Sequence, residues 1–492
     1  MVKVETKYKG ETKYKGETKF KPKHKCKEEQ KTFEEKELEI LRISIDKAEE
    51  IQGKAVAQSP EILKIISILE NFLKVKKLIC YGGTAINNIL PEYDQFYNKD
   101  VEIPDYDFYS PNSLSDAKEL ADIYNKAGYN DVEARAAVHV GTYKVFVNFI
   151  PVADVTHMDP KLYKTVLRDS IKINGIYYAP PNFLRMAVYK ELSRPKGDIS
   201  RWEKVYKRLV LLNKHYPLKN PKCDSIKFIR DFEGTSEDSS VIYDTIKDTM
   251  IDLGVVFIGG FASSLYGKYM PKEQQQFIKK VPDFDVIAED TKTVITILKE
   301  RLSAEGFKNI KIYKKPGVGE IIPIHYEVVV DNDTVCFIYE SEACYSYNSI
   351  KIGQNVIKVA TIDTMLNFFL AFLYADRPYY DHDRIICMAQ YLFYVQAKNR
   401  LEQKGLLKRF SINCYGNNLE KLDTIRALKV EKFKELKNKK GSKEYEEYFL
   451  RYTPGEKSNT SNNKKTTKNN NNITKKRTKV KKILKKKKYS FF

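Results

Sequence analysis

The chain has 492 residues, 42% of them apolar and 12% aromatic, enough for two to four domains with cores of their own. Its formal net charge of +21 points to a polyanionic partner, nucleic acid before membrane. A membrane-spanning helix, a zinc finger and a zincin-type hydrolase are all disfavoured. The longest apolar run, Met365 to Ala375, is short and broken by Asn367, the seven cysteines form no C-x-x-C, and the six histidines form no H-E-x-x-H.

Residues 1–32 are low-complexity and basic. The hexad Glu-Thr-Lys-Tyr-Lys-Gly stands at 5–10 and again at 11–16, and a Phe-containing variant comes after it. So polar a repeat buries no core. Its tyrosines and lysines suit stacking on bases and pairing with phosphates, or form a solvated tail. From Phe33 to about Ile51, Leu38, Leu41, Ile45 and Ala48 share one helical face. Ser59-Pro60 then caps a second helix lined by Ile62, Ile65, Ile66, Leu69 and Phe72. Both helices are expected to brace the sheet that begins at Leu78.

The chemistry gathers after Leu78. A short apolar strand ends on Gly82-Gly83, with Thr84 behind, and runs into a helix. Two glycines permit positive φ and close backbone approach, and a helix N-terminus suits phosphate. Asp105-Tyr106-Asp107 comes next on a strand, where i and i+2 share a face. Two adjacent carboxylates repel unless a divalent cation bound through oxygen compensates them. The alternation Lys144, Phe146, Asn148 against Val145, Val147, Phe149 reads as a strand leading to a third carboxylate, Asp154. Between them, Ser113 opens a helix closed at Gly128, and Ala134–Val140 and Tyr143–Val152 read as a hairpin turned at Gly141. This order gives an α+β layout with helices on one sheet. Further on, Leu184, Val188 and Leu192 form a core stripe, and Lys190, Arg194 and Lys196 gather at the helix end. Such a cationic end suits a triphosphate or primer phosphate, or compensates the helix dipole.

The glycine-pair strand with D-x-D behind it resembles the palm of DNA-polymerase-β-type nucleotidyltransferases. With Glu191-Leu-Ser-Arg-Pro-Lys-Gly-Asp-Ile-Ser-Arg-Trp-Glu-Lys204 further along, the chain is similar over about residues 35–400 to the poly(A) polymerase catalytic subunits of poxviruses and giant viruses. The resemblance implies AMP addition from ATP to the 3′ end of single-stranded mRNA, without a template. It implies two Mg²⁺ or Mn²⁺ ions held by Asp105, Asp107 and Asp154, with Gly82, Gly83 and Thr84 cradling the triphosphate. Lys190 and Arg194 are expected as further phosphate partners. It also implies a homodimer or a separate processivity subunit, no membrane association, and a place in the host cytoplasm and virion. Two readings stay open beside it: another RNA-terminal or oligoadenylate nucleotidyltransferase, and a non-enzymatic RNA-binding scaffold built on two inactive palms.

The second half repeats the first. Gly259-Gly260 and Asp283-Phe-Asp285 echo Gly82-Gly83 and Asp105-Tyr-Asp107. The offsets are 177 (259 − 82) and 178 (283 − 105), and Ile350 against Ile171 gives 179. Phe261 replaces Thr84, which would set a ring in the phosphate seat, and Cys344 falls about where Asp154 belongs. The fold expected is therefore two tandem palm domains, the first catalytic and the second degenerate, with flanking helices and disordered basic termini. The boundaries are 1–32, 33–235, 236–452 and 453–492. From Lys457 onward there are fourteen Lys and Arg and no acid, leaving +7 (21 − 14) for the rest. Lys485, Lys486, Lys487 and Lys488 in that tail are candidate RNA contacts or an import signal. The cysteines are expected as reduced thiols, with Cys80 buried.

Overall fold

The computed structural model describes residues 32–220, 223, 236–270, 283–399, 402–416 and 422–455. The N-terminal repeat and Lys485–Lys488 lie outside the described residues. α1 (Phe33–Ala57) starts at a reciprocal Thr32–Glu35 capping box, and α2 (Pro60–Lys76) starts at Ser59, whose hydroxyl accepts from the Ile62 N–H. α2 buries Ile62, Ile65, Leu69 and Phe72, as its periodicity predicts. α1 does not act as a brace: Leu38, Leu41 and Ile45 are 51%, 53% and 45% exposed.

Two mixed sheets carry the fold. The first contains β1 (Ile79–Tyr81), β2 (Tyr106–Ser110), β3 (Val132–Ala136), β4 (Thr142–Val147), β5 (Ile150–His157), β6 (Ile171–Ile173) and β7 (Ile176–Tyr178). The second contains β8 (Val256–Ile258), β9 (Phe284–Ala288), β10 (Ile310–Lys315), β11 (His325–Val330), β12 (Asp333–Glu340), β13 (Tyr345–Ile352), β14 (Asn355–Ala360) and the short β15 (Cys414–Tyr415). The core order is 3-4-5-2-1-7-6 in the first and 10-11-12-9-8-14-13 in the second. Within these seven-strand cores each parallel or antiparallel pairing in one has its counterpart in the other, whereas the edge pairings of Arg451–Tyr452 with β3 and of β15 with β13 have none. The small numerical drift of the repeated landmarks thus has a topological basis.

Three local features depart from the sequence reading. The strand through Lys144 does not run on to Asp154. Asn148 and Phe149 take φ of 48° and 67°, so the chain reverses there and Asp154 returns on β5 opposite Lys144. Phe149 continues the apolar alternation and hides that turn. Cys223 is bonded to Cys387 and Cys344 to Cys414, so these four are not free thiols; Cys80 and Cys336 are free and buried. Finally, β16 (Arg451–Tyr452) returns to the first sheet and pairs with β3, although it comes after the whole second half in sequence.

After α4 (Ser113–Lys126) and α5 (Pro160–Arg168), the halves meet through α6 (Pro181–Leu192), which lies against the helix Ile362–Phe372 of the second half. The Tyr189 hydroxyl donates to Gln396 Oε1 at 3.2 Å, and the Ser346 N–H donates to the Ser193 carbonyl at 2.8 Å. Phe183 meets Tyr374 edge-on at 5.1 Å.

Candidate active site

β1 is almost wholly buried, and its last residue passes directly into α3 (Gly82–Ile89). Gly82 sits at φ +73°, where an added Cβ would come 2.7 Å from Asp107 Oδ2. A Cβ at Gly83 would come 2.6 Å from the Tyr97 hydroxyl and 2.7 Å from an Arg208 guanidinium nitrogen. Each glycine is therefore required by a close approach: one brings the chain against a carboxylate, the other against a cation. No side chain caps α3, so its first N–H groups remain available to an anion. Thr84 is buried, and its hydroxyl donates to the Asp105 carbonyl at 2.6 Å. In this structure its proton positions the D-x-D strand against the glycine turn.

Asp107 stands opposite Tyr81 on one side and Asp154 on the other. Asp105, just ahead of β2, is exposed. Tyr106 and Phe108 point the other way into the core, and the Tyr106 hydroxyl donates to Glu70 at 2.7 Å. Burial, together with Asp105 and Asp154, pushes the Asp107 carboxyl up to about 7. Asp105, although its side chain reaches solvent, is raised as well, first by desolvation from the protein around its carboxyl and then by Asp154. Lys144 opposes both shifts and forms an ion pair with Asp154. Three carboxylates that repel one another, only partly compensated by Lys144, Lys204 and Arg201, leave a need for positive charge. Oxygen donors alone fit a hard divalent cation such as Mg²⁺ or Mn²⁺. Among the described residues no three His, Cys, Asp or Glu side chains are gathered tightly enough to form a metal cluster. The fit therefore rests on the donor chemistry and on the charge imbalance.

Cations flank the carboxylates. α7 (Trp202–His215) carries Arg208, which is buried, donates to the Tyr97 hydroxyl at 2.6 Å and lies over the Phe96 ring at 5.3 Å. Two backbone N–H groups, those of Phe96 and Tyr97, donate to Asn87 Oδ1 at 2.8 and 2.9 Å and hold this loop. Lys204 and Arg201 act electrostatically on Asp105 and Asp107. The structure thus brings together Gly82, Gly83, Thr84, Asp105, Asp107 and Asp154. Lys190 and Arg194 are engaged with the second half instead. Lys190 pairs with Glu320 at 3.7 Å, and Arg194 is buried over the Tyr345 ring at 5.2 Å. Arg208 is the cation at the glycine turn. The spacing of Arg201, Lys204 and Arg208, one helical stripe, is the sequence signal that points to it.

The second sheet keeps the backbone and loses the room. Gly259, at φ +64°, again lies against Asp285. Across the parallel pair, however, Asp285 faces Phe337, so Phe337 and not Cys344 holds the place of Asp154. The Phe261 ring does not project into a phosphate seat. It turns inward onto Phe257 and Phe284, with centroids at 4.7 and 5.2 Å. Phe369, Phe372, Tyr380 and Arg384 close over Asp283 and Asp285, leaving about 20 Å³. That is room for about one water.

A glycine turn at a helix N-terminus, facing carboxylates on two adjacent parallel strands, is a layout for handling a nucleoside triphosphate. Comparison with known proteins narrows this. Residues 67–198 match the family model described as poly(A) polymerase catalytic subunit. The chain is 25% identical over 453 residues to a protein of Acanthamoeba polyphaga mimivirus named as a candidate poly(A) polymerase catalytic subunit, covering 81% of this chain and 74% of that one. A protein of the same name from African swine fever virus is 32% identical over 181 residues, 36% of this chain and 38% of the viral protein. Among solved structures, the Megavirus polyadenylate synthase shares the fold, with a TM-score of 0.72 and 21% identity, over 84% of this chain and 86% of that one.

Proposed function

We propose that this chain is a poly(A) polymerase that adds AMP from ATP to RNA 3′ ends without a template. The observation that carries the reading is the row Tyr81–Asp107–Asp154–Lys144, set against the Gly82-Gly83 turn. It places crowded carboxylates next to an anion-accepting helix start. Asp105, Asp107 and Asp154 would hold Mg²⁺ or Mn²⁺, which supplies charge stabilisation for the attacking 3′-oxygen and the departing pyrophosphate. The chain's own residues do the rest. The N–H groups of Gly83 and Thr84 receive the triphosphate, and Arg208, fixed by Tyr97, balances its charge. Arg201 and Lys204 extend that positive field. Asp154 lies on the primer side, beside Lys144. The second sheet, its cleft filled by aromatic rings, serves as a structural and RNA-facing scaffold.

The exposed apolar face of α1 supplies a surface for a second copy of the chain or for a separate processivity subunit. Working on viral mRNA, the enzyme would act in the host cytoplasm and be carried in the virion. Asp105→Ala or Asp107→Ala should abolish AMP addition to a labelled RNA while circular dichroism stays unchanged. Near-normal extension by either variant would end the assignment.

A further inference from the structure

The carboxylate row does not stop at Lys144. Cross-strand partners share a face of the sheet, and the register continues from Lys144 to Arg135 on β3 and from Arg135 to Arg451 on β16. One face therefore presents, in line, Asp107, Asp154, Lys144, Arg135 and Arg451. The last three side chains are 41%, 46% and 81% exposed. At ~4.8 Å between strands, the basic part reaches ~14 Å outward from Asp154, the span of a few nucleotides. The helices on this part of the sheet lie on its other side: buried Tyr143 and Val145 alternate with Lys144, and the Tyr143 hydroxyl donates to the Glu447 carbonyl at 3.4 Å. The Arg135 guanidinium lies 4.0 Å from the centroid of the half-buried Phe146 ring, so the row also carries an aromatic surface. One acid interrupts it: Glu133 pairs with Arg451 at 3.3 Å and with Arg135 at 3.8 Å.

We infer that this row is the track of the RNA primer. It rests on the polymerase reading and adds the path of the substrate. The phosphates just upstream of the 3′ end lie along Lys144, Arg135 and Arg451, and a base meets Phe146. The α7 stripe serves the triphosphate on the opposite flank of the carboxylates. Two basic arms on either side of one acidic centre separate the two anionic substrates. A cation–aromatic–cation surface favours a single-stranded polynucleotide, because unpaired bases stack while phosphates pair. Strand β16 has its purpose here: it brings Arg451 from the far end of the chain to lengthen the track.

The test uses the full chain and a 5′-fluorescent oligo(A), read by anisotropy without nucleotide, and by extension with ATP. Arg135→Ala and Arg451→Ala should each weaken oligo(A) binding about three- to tenfold, as loss of a charged phosphate contact does. Together they should flatten the slope of log affinity against log salt by about 1.4, ~0.7 for each contact to a single strand. The KM for RNA should rise and that for ATP should not. Glu133→Gln should tighten RNA binding, since it removes the acid that pairs with Arg135 and Arg451 in the basic part of the row. If the pairs with Glu133 served only to pin β16, Glu133→Gln would loosen the fold and weaken binding as Arg451→Ala does. That result, or unchanged RNA affinity in the double arginine variant, would overturn the track. Either can be seen while the unaltered chain still extends RNA, so failure of the track is distinguishable from failure of the polymerase reading.

Discussion

Asp107→Asn should make the metal-free protein more stable above neutral pH while destroying its activity. The Asp107 carboxyl, held at about 7 against an ordinary 3.8, keeps a proton in the folded state that the unfolded chain has already released. Folding stability therefore falls as pH rises from about 4 to about 7, and the full penalty is present above that window. Taken whole, the gap corresponds to at most about 4 kcal/mol. Partial exposure of the group and the opposing Lys144 reduce this to about 2 kcal/mol. Asparagine keeps the shape and cannot ionise. Thermal unfolding in EDTA should show a higher Tm for Asp107→Asn at both pH values, with a clearly smaller gap at pH 5, where only roughly a third of the penalty has developed, than at pH 8. The rise at pH 8 should be roughly 4–8 °C if the first half melts as its own unit of about 200 residues. Saturating Mg²⁺ should narrow the gap by stabilising the unaltered chain. Equal Tm values at pH 8, or a less stable variant, would refute the crowded-carboxylate argument.

Gly83→Ala would press on the Tyr97 hydroxyl and Arg208, both flexible ends, so the fold should survive. Its cost should appear as a rise of about tenfold or more in the KM for ATP, with Tm nearly unchanged. Arg208→Ala should raise the KM for ATP similarly, since it removes a charged phosphate partner; an effect on RNA affinity alone would place Arg208 elsewhere. Asp283→Ala should leave turnover nearly unaltered, because the cleft beside it is filled; an inactive variant would reverse the ranking of the two sheets. Arg409→Ala should destabilise the second half by about 3–5 kcal/mol, since it strands the buried Asp363, whose Oδ1 lies 2.6 Å from the Arg409 guanidinium. Denaturant melts that leave Arg409→Ala unchanged would contradict that reading.

Much of the architecture was legible because it is encoded locally. Gly82-Gly83 and Asp105-x-Asp107 are short-range constraints, and their echo at 259–285 reveals the duplication seen in the strand orders. What the residues concealed is long-range or sterically subtle. The reversal at Asn148-Phe149 depends on two positive φ values at residues other than glycine, so Lys144 read as a neighbour of Asp154 in sequence and not across a hairpin. Looking for the third carboxylate just past the end of its strand set Cys344 in the place of Asp154; Asp154 lies within β5, and the register identifies Phe337, within β12, as its counterpart. The apolar stripe of α1 is genuine, but periodicity says nothing about whether a partner within the chain covers it. β16 is two residues long, below any pattern, and the two disulfides join cysteines 164 and 70 positions apart. Arg208 carried a signal, the helical stripe with Arg201 and Lys204, that becomes meaningful once α7 is placed beside the glycine turn.

The most direct test of the central claim is incubation of the purified chain with a short 5′-labelled single-stranded RNA, Mg²⁺ or Mn²⁺, and each nucleoside triphosphate separately. The account predicts a tail with ATP, little with the other three, and none from Asp105→Ala under any condition. Extension by all four nucleotides alike would keep the chemistry and remove the poly(A) claim. Absence of extension with either metal, from a folded chain that binds the RNA, would contradict the account.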